Sequence, residues 1–266
     1  MVIAALLIGS VATFAGCWIY LRTRRTKLYV ELARCVRDIL AADAVEFDCS
    51  AHGVPSFGDR IAVMSDFLPR HEFAVLRTTV TRLLTHERSF VPTHKKGGTV
   101  AYETLITAAP AVIALYHSAS LTEFVSRVVG ARVHPTPLRD QSSLSVLFYD
   151  RPGDHIGWHF DHNFYRGRHF TVLLAMLNEG HSEGGLSHAI LKARVGPREI
   201  DVRTSANTLV VFEGASVCHK VTPILDGERR IMLSMTYCTD PRAHWWQGAS
   251  RRVKDMAFFG LRALWT

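Results

Sequence analysis

The segment Gly157-Trp-His-Phe-Asp-His-Asn163 holds the most informative residues of this 266-residue chain. Alternate side chains of a β-strand point to the same face, so His159 and Asp161 project together. A third candidate ligand, His219, lies sixty residues after His159, in a segment that also reads as a strand. Two histidines and one carboxylate on one side of a metal leave its other positions open, as in non-haem Fe(II) oxygenases. The sequence therefore predicts a metal site formed by His159, Asp161 and His219.

The pattern around this motif predicts a β-barrel with helices packed outside it. Short apolar or alternating runs separated by turn residues predict strands at 145–149, 170–177, 199–202, 208–212 and 231–237. Many short strands with regular turn signals are typical of an antiparallel sandwich or barrel. The preceding region, 28–138, shows helical spacing of apolar residues in its amphipathic stretches. Helices followed by a run of strands favour helices on the outside of a barrel.

Two neighbouring arginines are candidates for binding a carboxylate. A guanidinium at the start of the last strand can bind a carboxylate through two parallel hydrogen bonds. Arg229 stands ten residues after His219, and the spacing favours it. Strand alternation favours Arg230, because it shares a face with the polar residues Ser234 and Thr236. The prediction takes Arg229 first and keeps Arg230 as the alternative.

Residues 143–237 resemble the 2-oxoglutarate/Fe(II)-dependent oxygenase superfamily, and its prolyl 4-hydroxylase-like branch in particular. The resemblance rests on the His-x-Asp pair, the later histidine, the arginine after it and Gly184-Gly185. It implies a double-stranded β-helix (a jelly-roll or cupin-like barrel) that uses Fe(2+) and 2-oxoglutarate, with ascorbate as a further candidate. It also implies that Tyr149, ten residues before His159, helps to bind 2-oxoglutarate. Prolyl 4-hydroxylases usually carry lysine where this chain has arginine.

The resemblance implies a dioxygenase that hydroxylates its substrate and releases succinate and CO2. Related halogenases carry a small residue in place of the carboxylate so that halide can bind, whereas this chain retains Asp161. Hydroxylation, or an oxidation derived from it, is therefore predicted. The substrate stays open between a peptide or protein residue, a lipid and a small metabolite. Two alternatives stay open as well: a non-catalytic binding or scaffold domain, and a cupin-like oxygenase that does not use 2-oxoglutarate.

The amino terminus predicts a membrane anchor. Residues 2–21 contain no charged side chain, and a helix of that length spans roughly 30 Å, enough for a bilayer core. The cluster Arg22-Thr-Arg-Arg-Thr-Lys27 follows, so the positive-inside rule places the catalytic domain in the cytosol. The predicted organisation is a transmembrane anchor with a basic flank (1–27), a helical scaffold region (28–138) and the oxygenase core (139–266). Residues 28–266 are expected to form one compact domain.

The charge and cysteine content of the chain give no specific indication of a partner or a further metal site. The net charge of +7 is spread along the chain without a phosphate-binding loop or zinc finger, so nothing particular indicates nucleic acid. The five cysteines lack C-x-x-C spacing, which argues against a disulfide framework or zinc site. His155, His162 and His169 near the motif are interpreted as loop or surface residues.

Overall fold

The computed structural model describes residues 2–42, 47–49, 52–83, 88–91, 95–243, 247–248, 250–252 and 254.

The described residues form one curved antiparallel sheet. Its strands are β1 (Ile61–Met64), β2 (Arg88–Val91), β3 (Lys95–Val100), β4 (His134–Pro135), β5 (Leu144–Tyr149), β6 (His155–His159), β7 (His169–Glu179), β8 (Leu191–Val195), β9 (Arg198–Val202), β10 (Leu209–Phe212), β11 (Cys218–Val221) and β12 (Arg229–Cys238). Ten strands follow the order β1-β10-β7-β12-β5-β3-β6-β11-β8-β9, while β2 pairs with β3 and β4 with β12.

The sheet curls into a nearly closed barrel with an apolar interior. Strands β10 and β11 are far apart in the strand order, yet the ring centres of Phe212 and His219 lie 4.7 Å apart. Because side chains alternate along β5, β7 and β12, each strand contributes to two separate apolar clusters. One cluster faces the helices and includes Val146, Leu174 and Leu233, and the other lies inside the barrel and includes Tyr149, Leu173 and Met232.

Among the described residues, α-helices flank the sheet. They are α1 (Val2–Ala41), α2 (Arg70–Thr81), α3 (Tyr102–Ala108), α4 (Pro110–His117) and α5 (Ala119–Val129). Ser118 caps α5 by accepting a hydrogen bond from the Leu121 N–H, and Gly130 ends this helix with a φ of 66°. The Tyr116 hydroxyl donates to the Thr236 carbonyl oxygen at 2.9 Å, which ties α4 to β12. The helices therefore brace the strand that carries the two candidate arginines.

The predicted architecture is confirmed in its main feature, a mostly β barrel with flanking helices. The five predicted strands are present as β5, β7, β9, β10 and β12, each within two residues of the expected bounds. The region 28–138 is less helical than predicted, because it also supplies β1, β2, β3 and β4. Strand β3 begins Lys95-Lys-Gly-Gly98, a composition with low β propensity. Its hydrogen bonds to β2, β5 and β6 come from distant segments, which local patterns do not reveal.

Helix α1 buries only part of its apolar surface. Leu32 and Val36 are buried and Ile39 packs partly against the same core, whereas Tyr29 and Leu40 are exposed. No helix among the residues that the structure describes is both long and apolar enough to cross a membrane. The predicted transmembrane anchor is therefore not supported.

Candidate metal centre

Two adjacent strands and the loop after β6 bring the three predicted metal ligands together. His159 at the end of β6 pairs in register with His219 on β11, and their ring centres lie 4.1 Å apart. Asp161 Oδ1 lies 3.6 Å from His159 Nε2 and 3.8 Å from His219 Nε2. One ligand atom from each residue falls within 4.8 Å of the others. This is a donor set of two imidazoles and one carboxylate that fits a divalent transition metal.

The backbone orients both imidazole rings. His159 Nδ1 is 2.8 Å from the Gly157 carbonyl oxygen, and His219 Nδ1 is 3.0 Å from the Val217 carbonyl oxygen. A carbonyl oxygen only accepts hydrogen bonds, so each Nδ1 carries the hydrogen and donates it. In the neutral ring the lone pair is then on Nε2, the atom on the side of Asp161, where it is available to a metal ion.

Asp161 is held by two neighbours that the motif alone does not reveal. The Thr171 hydroxyl on β7 donates a 2.5 Å hydrogen bond to Asp161 Oδ2. The Asp161 N–H donates to the Gly214 carbonyl oxygen at 2.9 Å. A Cβ atom on Gly214 would overlap the Asp161 carboxylate, so only glycine fits at this position without rearrangement.

Electrostatics keep Asp161 ionised. Burial alone would raise its pKa, but His219, His159 and the Thr171 hydroxyl together hold the pKa well below its usual range. Burial alone would lower the pKa of His159, but the hydrogen bond to Asp161 and the charge of Asp161 outweigh this effect and raise the pKa. Burial lowers the pKa of His219, and Asp161 opposes this only in part. The pocket therefore presents a carboxylate, the form that a metal ion needs.

The structure separates the two candidate arginines. Arg229 is exposed, whereas Arg230 is 1% exposed and points into the barrel. Arg230 pairs in register with Tyr149 on β5, and its guanidinium carbon lies 5.3 Å from the centre of the Tyr149 ring. Nε and Nη2 of Arg230 have no hydrogen-bond partner among the described residues. Of the two candidates, the alternative Arg230 is therefore the one that lies inside the barrel, whereas Arg229, which the spacing favours, lies outside it.

Tyr149 shares the interior with Arg230. Its hydroxyl is buried and has no hydrogen-bond partner in the described part of the chain. Burial raises the pKa of Tyr149 to about 12, and the Arg230 guanidinium only partly offsets this. Buried polar groups are normally satisfied, so the open donors of Arg230 and Tyr149 mark a place for an anionic ligand inside the barrel.

A cavity of about 170 Å³ opens beside the metal ligands. Hydroxyl groups line much of it, together with two lysines, Lys95 and Lys254. Lys95 is buried on β3, its Nζ donates to Thr99 Oγ1 at 2.8 Å, and burial lowers its pKa to about 8. Lys254 Nζ lies 3.9 Å from a carboxylate oxygen of Asp140. These polar side chains could bind a polar substrate group next to His159 and Asp161.

Two of the three additional histidines belong to this cavity. His162 and His169 both line it, and His169 is buried on β7. The surface interpretation is therefore wrong for His169. His155 lies on β6, and its Nδ1 is 2.8 Å from the Gly153 carbonyl oxygen. Sequence reasoning missed Lys95, because its strand carries no alternating pattern that would place it near the motif.

The antiparallel barrel and its His-Asp-His set define a fold of the 2-oxoglutarate/Fe(II) oxygenase type. The family model for Halogenase D (HalD) matches residues 57–195, more than half of the chain. The chain belongs to the Halogenase D family. No curated protein sequence matches it.

Solved structures share this fold at low sequence identity. One is an oxidoreductase of the 2OG-Fe(II) oxygenase family from Burkholderia pseudomallei, with a TM-score of 0.56 and 16% identity over 77% of this chain and 100% of the other. A prolyl hydroxylase from Trichoplax adhaerens, in complex with a hypoxia inducible factor peptide fragment, has a TM-score of 0.55 and 14% identity, covering 69% and 84%. The non-heme alpha ketoglutarate dependent epimerase SnoN from nogalamycin biosynthesis has a TM-score of 0.54 and 16% identity, covering 67% and 77%.

Proposed function

We propose that this protein is an Fe(II)- and 2-oxoglutarate-dependent dioxygenase that hydroxylates its substrate and releases succinate and CO2. The observation that carries the proposal is the pairing of two features in one barrel. Three ligand atoms of His159, Asp161 and His219 converge within 4.8 Å, and Arg230 presents unpartnered N–H groups inside the same barrel. The solved structures of similar fold support the same cofactor pair.

His159, Asp161 and His219 would hold the iron. When bound, the iron supplies the activation of oxygen that couples oxidative decarboxylation of 2-oxoglutarate to oxidation of the substrate. The protein's contribution is to fix the ligand geometry: the two backbone carbonyls orient the imidazoles, and Thr171 with Gly214 positions the carboxylate. The open side of the ligand set is left for co-substrate and oxygen.

Arg230 would bind the distal carboxylate of 2-oxoglutarate, with Tyr149 donating a further hydrogen bond. A buried guanidinium forms charge-assisted hydrogen bonds with a carboxylate that are stronger than bonds between neutral groups. The apolar interior excludes water there, because Leu173, Met232 and neighbouring side chains pack around this end of the barrel. Desolvation strengthens the pairing, so it would hold the co-substrate in one orientation.

We further propose hydroxylation rather than halogenation, although the family is called Halogenase D. The resemblance implies that related halogenases carry a small residue in place of the carboxylate, whereas this chain carries Asp161 there. The Thr171 hydrogen bond and the close approach of Gly214 hold that carboxylate towards the two histidines. A halide would have to displace an ionised carboxylate from this position. Analysis of the product for chlorine in a chloride-rich buffer tests the point, and a chlorinated product would contradict it.

The test of the proposed function is anaerobic loading of the full chain with Fe(II) and 2-oxoglutarate, followed by admission of air and measurement of succinate. Calorimetry measures binding of both before oxygen is added. We expect parental protein to bind both and to form succinate, and Asp161→Ala to lose Fe(II) binding and succinate together. Arg230→Gln should lose 2-oxoglutarate binding, with Arg229→Gln as the matched control that keeps it.

The outcomes separate the remaining alternatives. Binding of neither Fe(II) nor 2-oxoglutarate would favour a binding or scaffold domain on this barrel. Binding of Fe(II) and consumption of oxygen without succinate would favour an oxygenase that does not use 2-oxoglutarate. Stoichiometric succinate justifies a search for the substrate among peptides, lipids and small metabolites, starting with compounds that place a polar group in the cavity beside Lys95.

A further inference from the structure

We propose that a basic cleft between α1 and the body of the protein binds a phosphate group. The cleft has a volume of about 390 Å³ and is separate from the cavity at the metal ligands. Its guanidinium lining comes from three parts of the chain: Arg22 and Arg25 on α1, Arg139 after β4, and the pair Arg251-Arg252 near the carboxyl end. The proposal does not depend on the oxygenase activity.

The arginines of the cleft repel one another. Burial lowers the pKa of Arg252, and the charges of Arg25, Arg251 and Arg139 lower it further. Among the lining residues that the structure describes, none is an aspartate or glutamate. Asp140, behind the cleft wall, offsets part of the charge of Arg251. Arg22, Arg25, Arg139 and Arg252 have no carboxylate beside them in the described lining, and an anion between them would reduce their repulsion. The cleft therefore has the electrostatic character of an anion site.

The lining also offers hydrogen-bond donors beyond those used within the protein. Arg25 Nε donates to the Leu21 carbonyl oxygen at 3.1 Å, but a guanidinium has more N–H donors than this one bond uses. Arg22 stacks over the Trp18 ring with its guanidinium carbon 5.2 Å from the ring centre. That contact holds the group in place and leaves its N–H edge available for a ligand.

Gln141 is the second, independent observation that points to a ligand. Its side chain is 2% exposed and lines the cleft, and its Oε1 has no hydrogen-bond partner among the described residues. The oxygen and nitrogen of a glutamine amide are exchanged by a simple flip, which would turn the NH2 group towards a bound anion. A buried amide oxygen without a partner costs free energy. After the flip, the NH2 group would stand in its place and donate a hydrogen bond to the bound anion.

Phosphate fits this lining better than a carboxylate does. A phosphate monoester or diester carries several acceptor oxygens in a tetrahedral arrangement, so guanidinium groups from three segments can bind it at the same time. A single carboxylate has only two oxygen atoms, which lie in one plane, and it would leave most of these donors unused. Two sources share the phosphate chemistry: the headgroup of an anionic phospholipid and a soluble phosphate.

The basic cleft shares a wall with the cavity at the metal ligands. Arg139 and Gln141 line the cleft, whereas Asp140 and Ser142, which alternate with them, line the metal-site cavity. Lys254, close in sequence to the Arg251-Arg252 pair, contacts Asp140 from the other side of that wall. An anion in the cleft would therefore lie directly behind residues that shape the proposed substrate cavity.

The experiment measures two kinds of binding by the full chain at constant ionic strength. Broadening of the 31P signal of inorganic phosphate measures the soluble source. Co-sedimentation with phosphatidylcholine vesicles, with and without phosphatidylglycerol, measures the lipid source. The variants are Arg25→Gln and Arg139→Gln. Arg37→Gln is the matched control, because Arg37 is exposed on the same helix and does not line the cleft.

We expect Arg25→Gln and Arg139→Gln each to weaken binding on the order of tenfold, because each removes one group that forms charge-assisted hydrogen bonds. Arg37→Gln should bind like the parent. Binding of inorganic phosphate identifies a soluble source, and binding only to phosphatidylglycerol vesicles identifies a lipid headgroup. Absence of both kinds of binding would overturn the proposal. An equal loss in Arg37→Gln would also overturn it, because it would reveal attraction by net charge alone.

Discussion

The guanidinium carbon of Arg230 lies 5.3 Å from the ring centre of Tyr149, its register partner on the neighbouring strand. Arg230 Nε and Nη2 and the Tyr149 hydroxyl are buried, and outside this pair they have no hydrogen-bond partner among the described residues. The pair therefore forms a buried polar site beside the apolar side chains of the interior cluster. Arg229, the preceding residue, carries the same guanidinium group but is exposed outside the barrel. A substitution of Arg229 is therefore a control for the same substitution of Arg230.

Replacement of Arg230 should weaken binding of 2-oxoglutarate. We expect Arg230→Gln to raise the KM for 2-oxoglutarate roughly 10- to 100-fold, the loss of a charge-assisted pairing. Tyr149→Phe should give a smaller increase, because it removes one neutral donor. Steady-state succinate formation measures both. Arg229→Gln is the matched control, and a KM effect there equal to that of Arg230→Gln would contradict the assignment.

Thr171 should tune metal affinity without touching the metal. Thr171→Val keeps the side-chain shape but removes the 2.5 Å hydrogen bond to Asp161. Loss of such a supporting bond typically weakens metal binding about 10- to 100-fold. Calorimetric titration with Fe(II) measures the change. Ser234→Ala serves as the control, since Ser234 lines the same cavity. Unchanged Fe(II) affinity in Thr171→Val would show that Asp161 needs no such support.

Gly214 should tolerate no side chain. In Gly214→Ala the new Cβ would overlap the Asp161 carboxylate, so the carboxylate or the loop must move. We expect Fe(II) affinity to fall at least about tenfold while the strands remain folded. Gly53→Ala is the control, because a Cβ there has no neighbour within 4 Å. Circular dichroism with the Fe(II) titration separates loss of the site from loss of the fold.

Glu228 should make stability depend on pH. Its buried carboxylate accepts hydrogen bonds from the backbone N–H groups of His181, His188 and Leu225 and lies 2.6 Å from His188 Nδ1. Burial opposes ionisation, but these bonds lower the pKa to about 2. A folded-state pKa below the unfolded value stabilises the protein above about pH 4.5, and this stabilisation is lost as pH falls towards 2.

The corresponding variant is Glu228→Gln. At neutral pH it should lower the free energy of unfolding by about 3 kcal/mol, the equivalent of the pKa shift. Near pH 2 the parent and the variant should unfold at similar denaturant concentrations. Urea titrations at several pH values measure the difference. A stability difference that stays constant between pH 7 and pH 2 would contradict the assigned role of the carboxylate charge.

Local sequence patterns predict most of the strands named in the sequence analysis, because side-chain alternation is visible within a few residues. Alternation predicts β5, β7, β10 and β12 within two residues, and it also places His159 and Asp161 together. The same rule correctly places Arg230 on a face with Ser234 and Thr236. Spacing from His219 favours Arg229, the exposed neighbour, because it counts along a turn and carries no information about which way a side chain points.

The residues that sequence reasoning missed are those whose roles depend on distant segments. Thr171 contacts Asp161 across ten residues, Gly214 meets the same carboxylate from another loop, and Lys95 reaches the cavity from a Gly-rich strand. None of them stands out in its own stretch of sequence. The predicted anchor shows a second limit of local patterns. An apolar run of the right length does not by itself establish that a helix crosses a membrane.

By itself, the sequence determined the mostly β class, because strand periodicity is a local property of the backbone. It also predicted His159, Asp161 and His219 as one ligand set, and the structure brings these three together. Only the tertiary structure decided that β6 and β11 pair His159 with His219, that Arg230 faces inward, and that five arginines converge on one cleft. These relationships arise from the curl of the sheet and the packing of α1. Both depend on close packing between segments that are far apart in the chain, and a local sequence pattern does not show which segments pack together.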